Sequence, residues 1–492
     1  MFRDLLARAG VYSASLIVGR LAAFLFLPVY TRYLTPADYG ILELLDLLTT
    51  VSGLLMGVYL GQGLFYYYFK AQSQEEKTRW VNAAFVGSFL FAGTCIALGV
   101  GCSRQLSVVV FGTTRYAAFV TIDFLVLGLA LPVEVGRCCL RVLDRARTYV
   151  WITVAGTAIG IVLNLVLLIG YRAQVKGMLI SALLTSIALA AFTIRSIWPS
   201  PRSARLSAEV GAMLKYSMPL VLSGLAVFVI NYGDRMFLRT RVSLDVLGVY
   251  SLAYKIGMSI AFLHMPFIMH WNAHVCEIVQ GPNGERIFAR ATTYLTAVLT
   301  AGTVTLSILC APALRLLVGS GFWGAAALVP LLATAYLIRA LGAHLQSVFI
   351  VAGKPGLEAR VNTVGSLACL LAYAILIPRF KVMGAVWATV IGFTVILLHG
   401  FWEAQRVRAF PFEYARLARI ALLALAAVGS FYLVRPSDVV RQAAVGCVFC
   451  GAFAVALWAG CLDGGERAEL KRLLVDVCQK VLSKRQAQVV AT

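Results

Sequence analysis

Charged residues are scarce in this chain. Asp, Glu, Lys and Arg make up 13% of its 492 residues, about half the share of an ordinary soluble domain. Polar linkers are scarce as well, and no long polar stretch interrupts the sequence before its C-terminal end. Together these lacks exclude the several soluble domains that such a length would otherwise suggest. Histidine is rare, at 5 residues, and mostly solitary. His270 and His274 have a metal-compatible i, i+4 spacing, with Cys276 and Glu277 following. They sit beside Trp271, so interfacial anchoring is the expectation and no metal site is assigned. The 11 cysteines are scattered through apolar runs, and Cys447-x-x-Cys450 has no companion ligands. There is no Gly-x-Ser-x-Gly elbow and no phosphate-binding Gly-Lys-Ser/Thr loop. No catalytic residue is therefore assigned, and an ATP-driven pump would need a nucleotide domain that this sequence lacks.

What remains is apolar. Hydrophobic residues make up 60% of the chain, and the mean hydropathy is +0.85. Runs such as 149–171 and 417–434 are long enough to cross a hydrocarbon core of about 30 Å. Hydropathy predicts an all-α polytopic membrane protein with fourteen spans, from 10–30 and 41–61 through 360–378 and 383–402 to 417–434 and 441–462. No cleavable signal peptide is expected, because MFRDLLARAG leads straight into a full-length span. Acids are outnumbered, 22 against 43 Lys and Arg. A net charge of +21 could suggest nucleic acid, but membrane topology accounts for it better. With an internal N-terminus, Lys and Arg outside the spans divide about two to one in favour of the cytoplasmic side. Both termini are thus expected in the cytoplasm, and Gly112 and Gly319 in outer loops. From Gly465 onward, Leu470, Leu473, Leu474, Val477 and Val481 recur at helical spacing among Lys and Arg. That pattern suits an amphipathic helix on an anionic leaflet.

The chain also repeats itself. TPADYGILELLDL (35–47) aligns with SLDVLGVYSLAYK (243–255) at an offset of 208, which places Gly40 on Gly248. FGTTRYAA (111–118) aligns with VGSGFWGA (318–325), and VKGMLISAL (175–183) with VMGAVWATV (382–390), both at 207. Spans 1–6 and 7–12 are therefore read as parallel copies, a common plan in transporters. The expected organisation is an N-lobe 1–198, a cytoplasmic linker 199–215, a C-lobe 216–402, added spans in 417–462 and a basic tail 463–492.

Two parallel six-helix lobes resemble the multidrug/oligosaccharidyl-lipid/polysaccharide exporter superfamily. Local stretches resemble its polysaccharide-transporter branch, the Wzx-type flippases of lipid-linked oligosaccharides. These are VGRLAAFLFLPVYTRYLTPADYG (18–40), YSMPLVLSG (216–224), YGDRMFL (232–238), LGVYSLAYKIG (247–257) and IPRFKVMGAVWATV (377–390). Fourteen spans also resemble the MurJ-type lipid II flippases. The resemblance implies a bacterial inner-membrane flippase that carries a polyprenyl-pyrophosphate-linked glycan by alternating access. Its alternatives are a lipid II flippase or an ion-coupled multidrug exporter of the same fold. A glycan polymerase or ligase would need a large outer loop, and a scaffold would not require buried cations. The implied partners are the lipid-linked glycan, membrane lipids and polysaccharide polymerase or export machinery, with no nucleic acid.

Charges inside spans are costly and normally face a bundle interior or a wet cavity. The cations Arg20, Lys255 and Arg339 lie furthest from span ends, and Arg235 closes span 7. The resemblance implies that Arg20 and Lys255 line a central cavity and contact pyrophosphate. Arg235 and Arg339 are further candidates for that role. The candidate acids for a coupling cation, H+ or Na+, are Glu43, Asp46, Asp123 and Asp234. Glu43 and Asp46 are three apart and share a helix face. An internal ion pair, for example with Arg20, is the competing reading for them.

Overall fold

The computed structural model describes residues 26–56, 59–197, 206–434, 436–461 and 463–468. Among these residues every regular element is a helix and no strand occurs, as a bilayer requires of a chain that must satisfy its own backbone polar groups. The helices are α1 (Leu27–Tyr33), α2 (Pro36–Leu55), α3 (Leu60–Lys70), α4 (Gln74–Gly101), α5 (Ser103–Phe111), α6 (Ala117–Val142), α7 (Ala146–Leu165), α8 (Gln174–Ser196) and α9 (Leu206–Arg239). They continue with α10 (Leu244–Met258), α11 (Ile260–Gln280), α12 (Gly284–Leu317), α13 (Val329–Gln346), α14 (Val348–Val351), α15 (Pro355–Val407), α16 (Tyr414–Val434) and α17 (Val439–Cys461).

Eleven of the described segments are long and apolar enough to cross a membrane, or up to 12 if the bent pair within α9 is one span. This is a multi-pass membrane protein. The spans expected at 360–378 and 383–402 are two helices within α15, separated by the non-helical backbone of Lys381 (φ 48°, ψ −122°). Pro378 removes a ladder donor three residues earlier, and each half still exceeds the ~30 Å core at ~1.5 Å per residue. The span expected at 41–61 starts earlier. Thr35 and Asp38 form a reciprocal capping box with Pro36 at the first turn, which begins the helix before its apolar run. The first expected span (10–30) lies almost wholly outside the described residues, as does the amphipathic tail beyond residue 468.

The chain divides into two compact units. One comprises residues 1–255, 317–328 and 359–395, and the other 256–316, 329–358 and 396–492. In the first, α4 packs on α6 and α6 on α8 through glycines that let helices approach closely. A Cβ on Gly99 would run into Phe124, one on Gly128 into Ile96 and one on Gly136 into Thr193. In the second, Trp271 donates to Ser347 Oγ at 3.0 Å, and Phe288 stacks on His344 with ring centroids 4.7 Å apart. Arg416 gathers Glu413, Asp463 and Glu466 where α16 meets the end of α17.

Within the first unit the proposed repeat shows in reciprocal contacts. A Cβ on Gly40 would strike the Leu244 carbonyl, and one on Gly248 the Pro36 carbonyl. Pro36 and Leu244 are 208 apart, and so are Gly40 and Gly248. Gly112 (φ 73°) lies against the Arg239 side chain and Gly319 against the Thr31 carbonyl, again with contacted residues 208 apart. Short 3-10 segments follow both glycines, at Thr114–Tyr116 and Ser320–Ala327. Such exchanged contacts are what a two-fold relation between copies produces. Backbone meets backbone where α2 and α10 begin, so Gly248→Val is expected to destabilise the protein by about 1–3 kcal/mol or more through overpacking. The check is thermal unfolding of the purified variant in detergent. An unchanged transition would mean that the helices can separate there without cost.

Candidate functional site

The crossing of α2 and α10 sets up a charged cluster one to three turns further along. α2 supplies Glu43 and Asp46, the end of α9 supplies Asn231, Tyr232, Asp234 and Arg235, and α10 supplies Tyr250, Tyr254 and Lys255. All belong to the first unit. Arg235 is the hub. Its Nε donates to Glu43 Oε1 at 2.6 Å, and its Nη1 donates to Asp234 Oδ1 at 2.9 Å and to the Asn231 carbonyl at 2.8 Å. The Tyr250 hydroxyl donates to the other oxygen of Asp234. Three tyrosine rings surround the guanidinium, with centroids 4.2 Å (Tyr254), 5.3 Å (Tyr232) and 5.9 Å (Tyr250) away, within cation–π range.

Glu43 has a second cation. Lys255 Nζ lies 2.9 Å from its Oε2 and 5.1 Å from the Tyr39 ring. The paired members are two carboxylates, Glu43 and Asp234, and two cations, Arg235 and Lys255, with Asp46 a third carboxylate beside them. A buried ion pair is retained only when its geometry and supporting hydrogen bonds offset several kcal/mol of desolvation per ion. Here the distances are those of charge-assisted bonds. Exposure is graded across the cluster. Glu43, Asp234 and Arg235 side chains are only 1–2% exposed, whereas the Lys255 side chain is 42% exposed. Asp46, one turn along α2 from Glu43, is also exposed. The structure thus places a partly exposed lysine side chain and an exposed aspartate beside a locked, buried anchor.

Asp123, on α6, is buried and accepts a hydrogen bond from the Thr49 hydroxyl of α2. It is thereby tied to the helix that carries Glu43 and Asp46. Arg339 is half-buried on α13 and belongs to the second unit. Arg20 falls outside the described residues. Among the predicted site residues the structure brings together Glu43, Asp234, Arg235 and Lys255, with Asp46 beside them on α2. It pairs Glu43 with Arg235 and Lys255. Residue types alone did not single out the tyrosine cage. A signal was present, since Tyr250 and Tyr254 are four apart and share a face of α10 with the stretch that follows the Asp-Arg pair.

The Polysaccharide biosynthesis protein family profile matches residues 5–271. No curated protein matches the sequence. Among solved structures, the lipid II flippase MurJ in an inward closed conformation matches with a TM-score of 0.67 at 13% identity, covering 92% of this chain and 99% of that one. An inward-facing multidrug resistance transporter of the MATE family and MOP superfamily matches with a TM-score of 0.63 at 16% identity, over 79% of this chain and 95% of that one. A MATE crystal structure in the straight conformation matches with a TM-score of 0.55 at 16% identity, over 82% and 96%. At these identities the likeness establishes the fold alone, one shared with the MurJ and MATE structures, as the sequence resemblance implied. With more than half of its length matched by the family profile, the chain belongs to the polysaccharide biosynthesis protein family.

Proposed function

We propose that the protein is a flippase that moves a polyprenyl-pyrophosphate-linked oligosaccharide repeat unit from the cytoplasmic to the periplasmic leaflet of the inner membrane. The lobes 1–198 and 216–402 would open alternately to the two sides while the lipid tail stays in the bilayer. Family membership and fold support transport of a glycan precursor. The observation that carries the reading is the partly exposed Lys255 side chain, whose ammonium rests on a carboxylate that has a second, buried cation.

That arrangement suits an anion exchange. A pyrophosphate entering an apolar region needs compensating positive charge. Lys255 can leave Glu43 for a phosphate oxygen while Glu43 keeps its 2.6 Å bond to Arg235, which it then shares with Asp234; the uncompensated charge favours the return of the ammonium. When the substrate departs, Lys255 returns to Glu43 and the site resets. Arg20 and Arg339 are further candidate anion ligands in this scheme. Of the four candidate acids for a coupling cation, H+ or Na+, Glu43 and Asp234 are engaged by Arg235, and Asp46 and Asp123 are the ones this scheme assigns to it. Their placement on and against α2 also supports a second reading, an ion-coupled exporter of the same fold. A lipid II flippase differs from the leading reading only in the glycan.

Cells depleted of the protein should accumulate the lipid-linked glycan on the cytoplasmic side, and the wild-type gene should clear it. Accumulation of no such lipid, together with lost resistance to a cationic drug, would move the assignment to the exporter reading. Asp46→Asn and Asp123→Asn should each slow flux at least several-fold with insertion intact, and weaken its response to an imposed proton or sodium gradient. Wild-type flux and gradient response in the double variant would remove both acids from coupling.

A further inference from the structure

A second constellation lies at the opposite end of the first unit's helices, on the face that the Lys/Arg distribution assigns to the cytoplasm. The run Tyr66-Tyr67-Tyr68-Phe69 closes α3, and the simplest reading of such a run is a membrane-interface belt. Its rings are not arranged as a belt. Tyr66 stacks on Tyr216 of α9, centroids 4.3 Å apart and planes 15° apart, and Tyr67 stacks on Trp80 of α4 with the same distance and angle. These rings are turned onto neighbouring helices, and Phe69 is left highly exposed.

Tyr68 forms part of a cleft of about 190 Å³, room for one hexose. Gln74, Thr78 and Asn82 bring amide and hydroxyl groups to its lining, and Lys77 and Arg145 bring two cations. The lining contains no carboxylate. Lys77 Nζ sits 5.5 Å from the Tyr68 ring centroid. Arg145 spends one guanidinium nitrogen on the Ser196 carbonyl at 3.1 Å, and among the described residues neither cation forms an ion pair.

We infer that this cleft is a saccharide subsite selective for a hexose bearing a carboxylate, a uronic acid, which it binds as the lipid-linked unit reaches the cytoplasmic mouth. The inference rests on the flippase reading and names one sugar class for its substrate. An aromatic face accepts the polarised C–H edge of a pyranose ring through its negative quadrupole. Carboxamides and hydroxyls supply both donors and acceptors for ring hydroxyls. The two cations select for the carboxylate, since charge-assisted hydrogen bonds are about twice as strong as neutral ones and the arginine fork can hold both oxygens. A neutral hexose would gain the stacking and lose the charge.

The test is saturation-transfer NMR on the full chain in zwitterionic nanodiscs, with sodium glucuronate and glucose as probes. Glucuronate C–H signals should be saturated at least about fivefold more strongly than those of glucose. Lys77→Gln, alone and combined with Arg145→Gln, should erase that preference at an unchanged unfolding temperature. Tyr68→Ala should weaken both signals. Equal signals for the two sugars, absence of both, or a preference that survives the cation substitutions would overturn the subsite. So would a loss confined to binding of anionic vesicles, which would make these residues lipid contacts. A chain that flips lipid-linked glycan without binding glucuronate loses the subsite and keeps the flippase. One that binds glucuronate without flipping loses the flippase and keeps the subsite.

Discussion

Lys255→Gln should reduce flipping roughly ten- to hundredfold at matched protein levels, whereas Lys255→Arg should retain a substantial part of it. The range follows from losing one charge-assisted contact to phosphate, worth about 1.5–3 kcal/mol, at about 1.4 kcal/mol per factor of ten. The structure makes the experiment interpretable. Removing the ammonium leaves Glu43 bound to Arg235 at 2.6 Å, a cation it then shares with Asp234, so the unfolding temperature of the purified variant is compared with wild type to separate transport from stability. Arginine preserves the charge on a different geometry. Accumulation of the lipid-linked intermediate in complemented cells reports the effect. Equal activity for the Arg and Gln variants would mean that the cation does not read the anion.

Arg235→Met is expected to act on the fold itself. It leaves the Glu43 and Asp234 carboxylates in the interior, with Lys255 the sole remaining cation of the group and Asp234 held by Tyr250. Breaking a buried pair by removing one partner costs about 3–5 kcal/mol, and the tyrosine cage loses its cation. The purified variant should unfold well below the wild type in detergent, or fail to accumulate in the membrane. Arg235→Met combined with Glu43→Gln should recover part of the loss, because one stranded charge goes with its partner. A single variant that unfolds at the wild-type temperature would show that the cluster contributes nothing to stability and could be tuned wholly for transport.

Much of this architecture was legible in the sequence because it depends on local composition and on self-similarity. The spans follow from apolar length, and aligning Gly40 with Gly248 anticipated two helix starts that touch by backbone. Helix starts were less legible, since the Thr35–Asp38 capping box is decided by single side chains rather than by hydropathy, whereas the break at Lys381 falls between the spans read at 360–378 and 383–402. The site was legible as a set of costly charges and illegible as a network. Glu43 and Lys255 are separated by most of the first unit's chain, and only the crossing of α2 and α10 shows that they meet. Sequence spacing placed Asp46 beside Tyr254 and Lys255 in the repeat, yet it is Glu43 that takes Lys255 while Asp46 stays exposed. The repeat copies backbone geometry and not charge. Ser251 occupies the position equivalent to Glu43, so the carboxylate that meets Lys255 comes from the first copy alone.

The central claim, transport of a pyrophosphate-linked glycan across the bilayer, is tested most directly in proteoliposomes containing the purified full chain and a fluorescent polyprenyl-pyrophosphate oligosaccharide. Flipping exposes the label to a membrane-impermeant quencher added outside. Wild-type vesicles should show quenching well beyond half of the label, Lys255→Arg a reduced rate, and Lys255→Gln a rate roughly ten- to hundredfold below wild type. Wild-type vesicles that leave the lipid-linked glycan where it began, while moving a cationic drug along an ion gradient, would contradict the account.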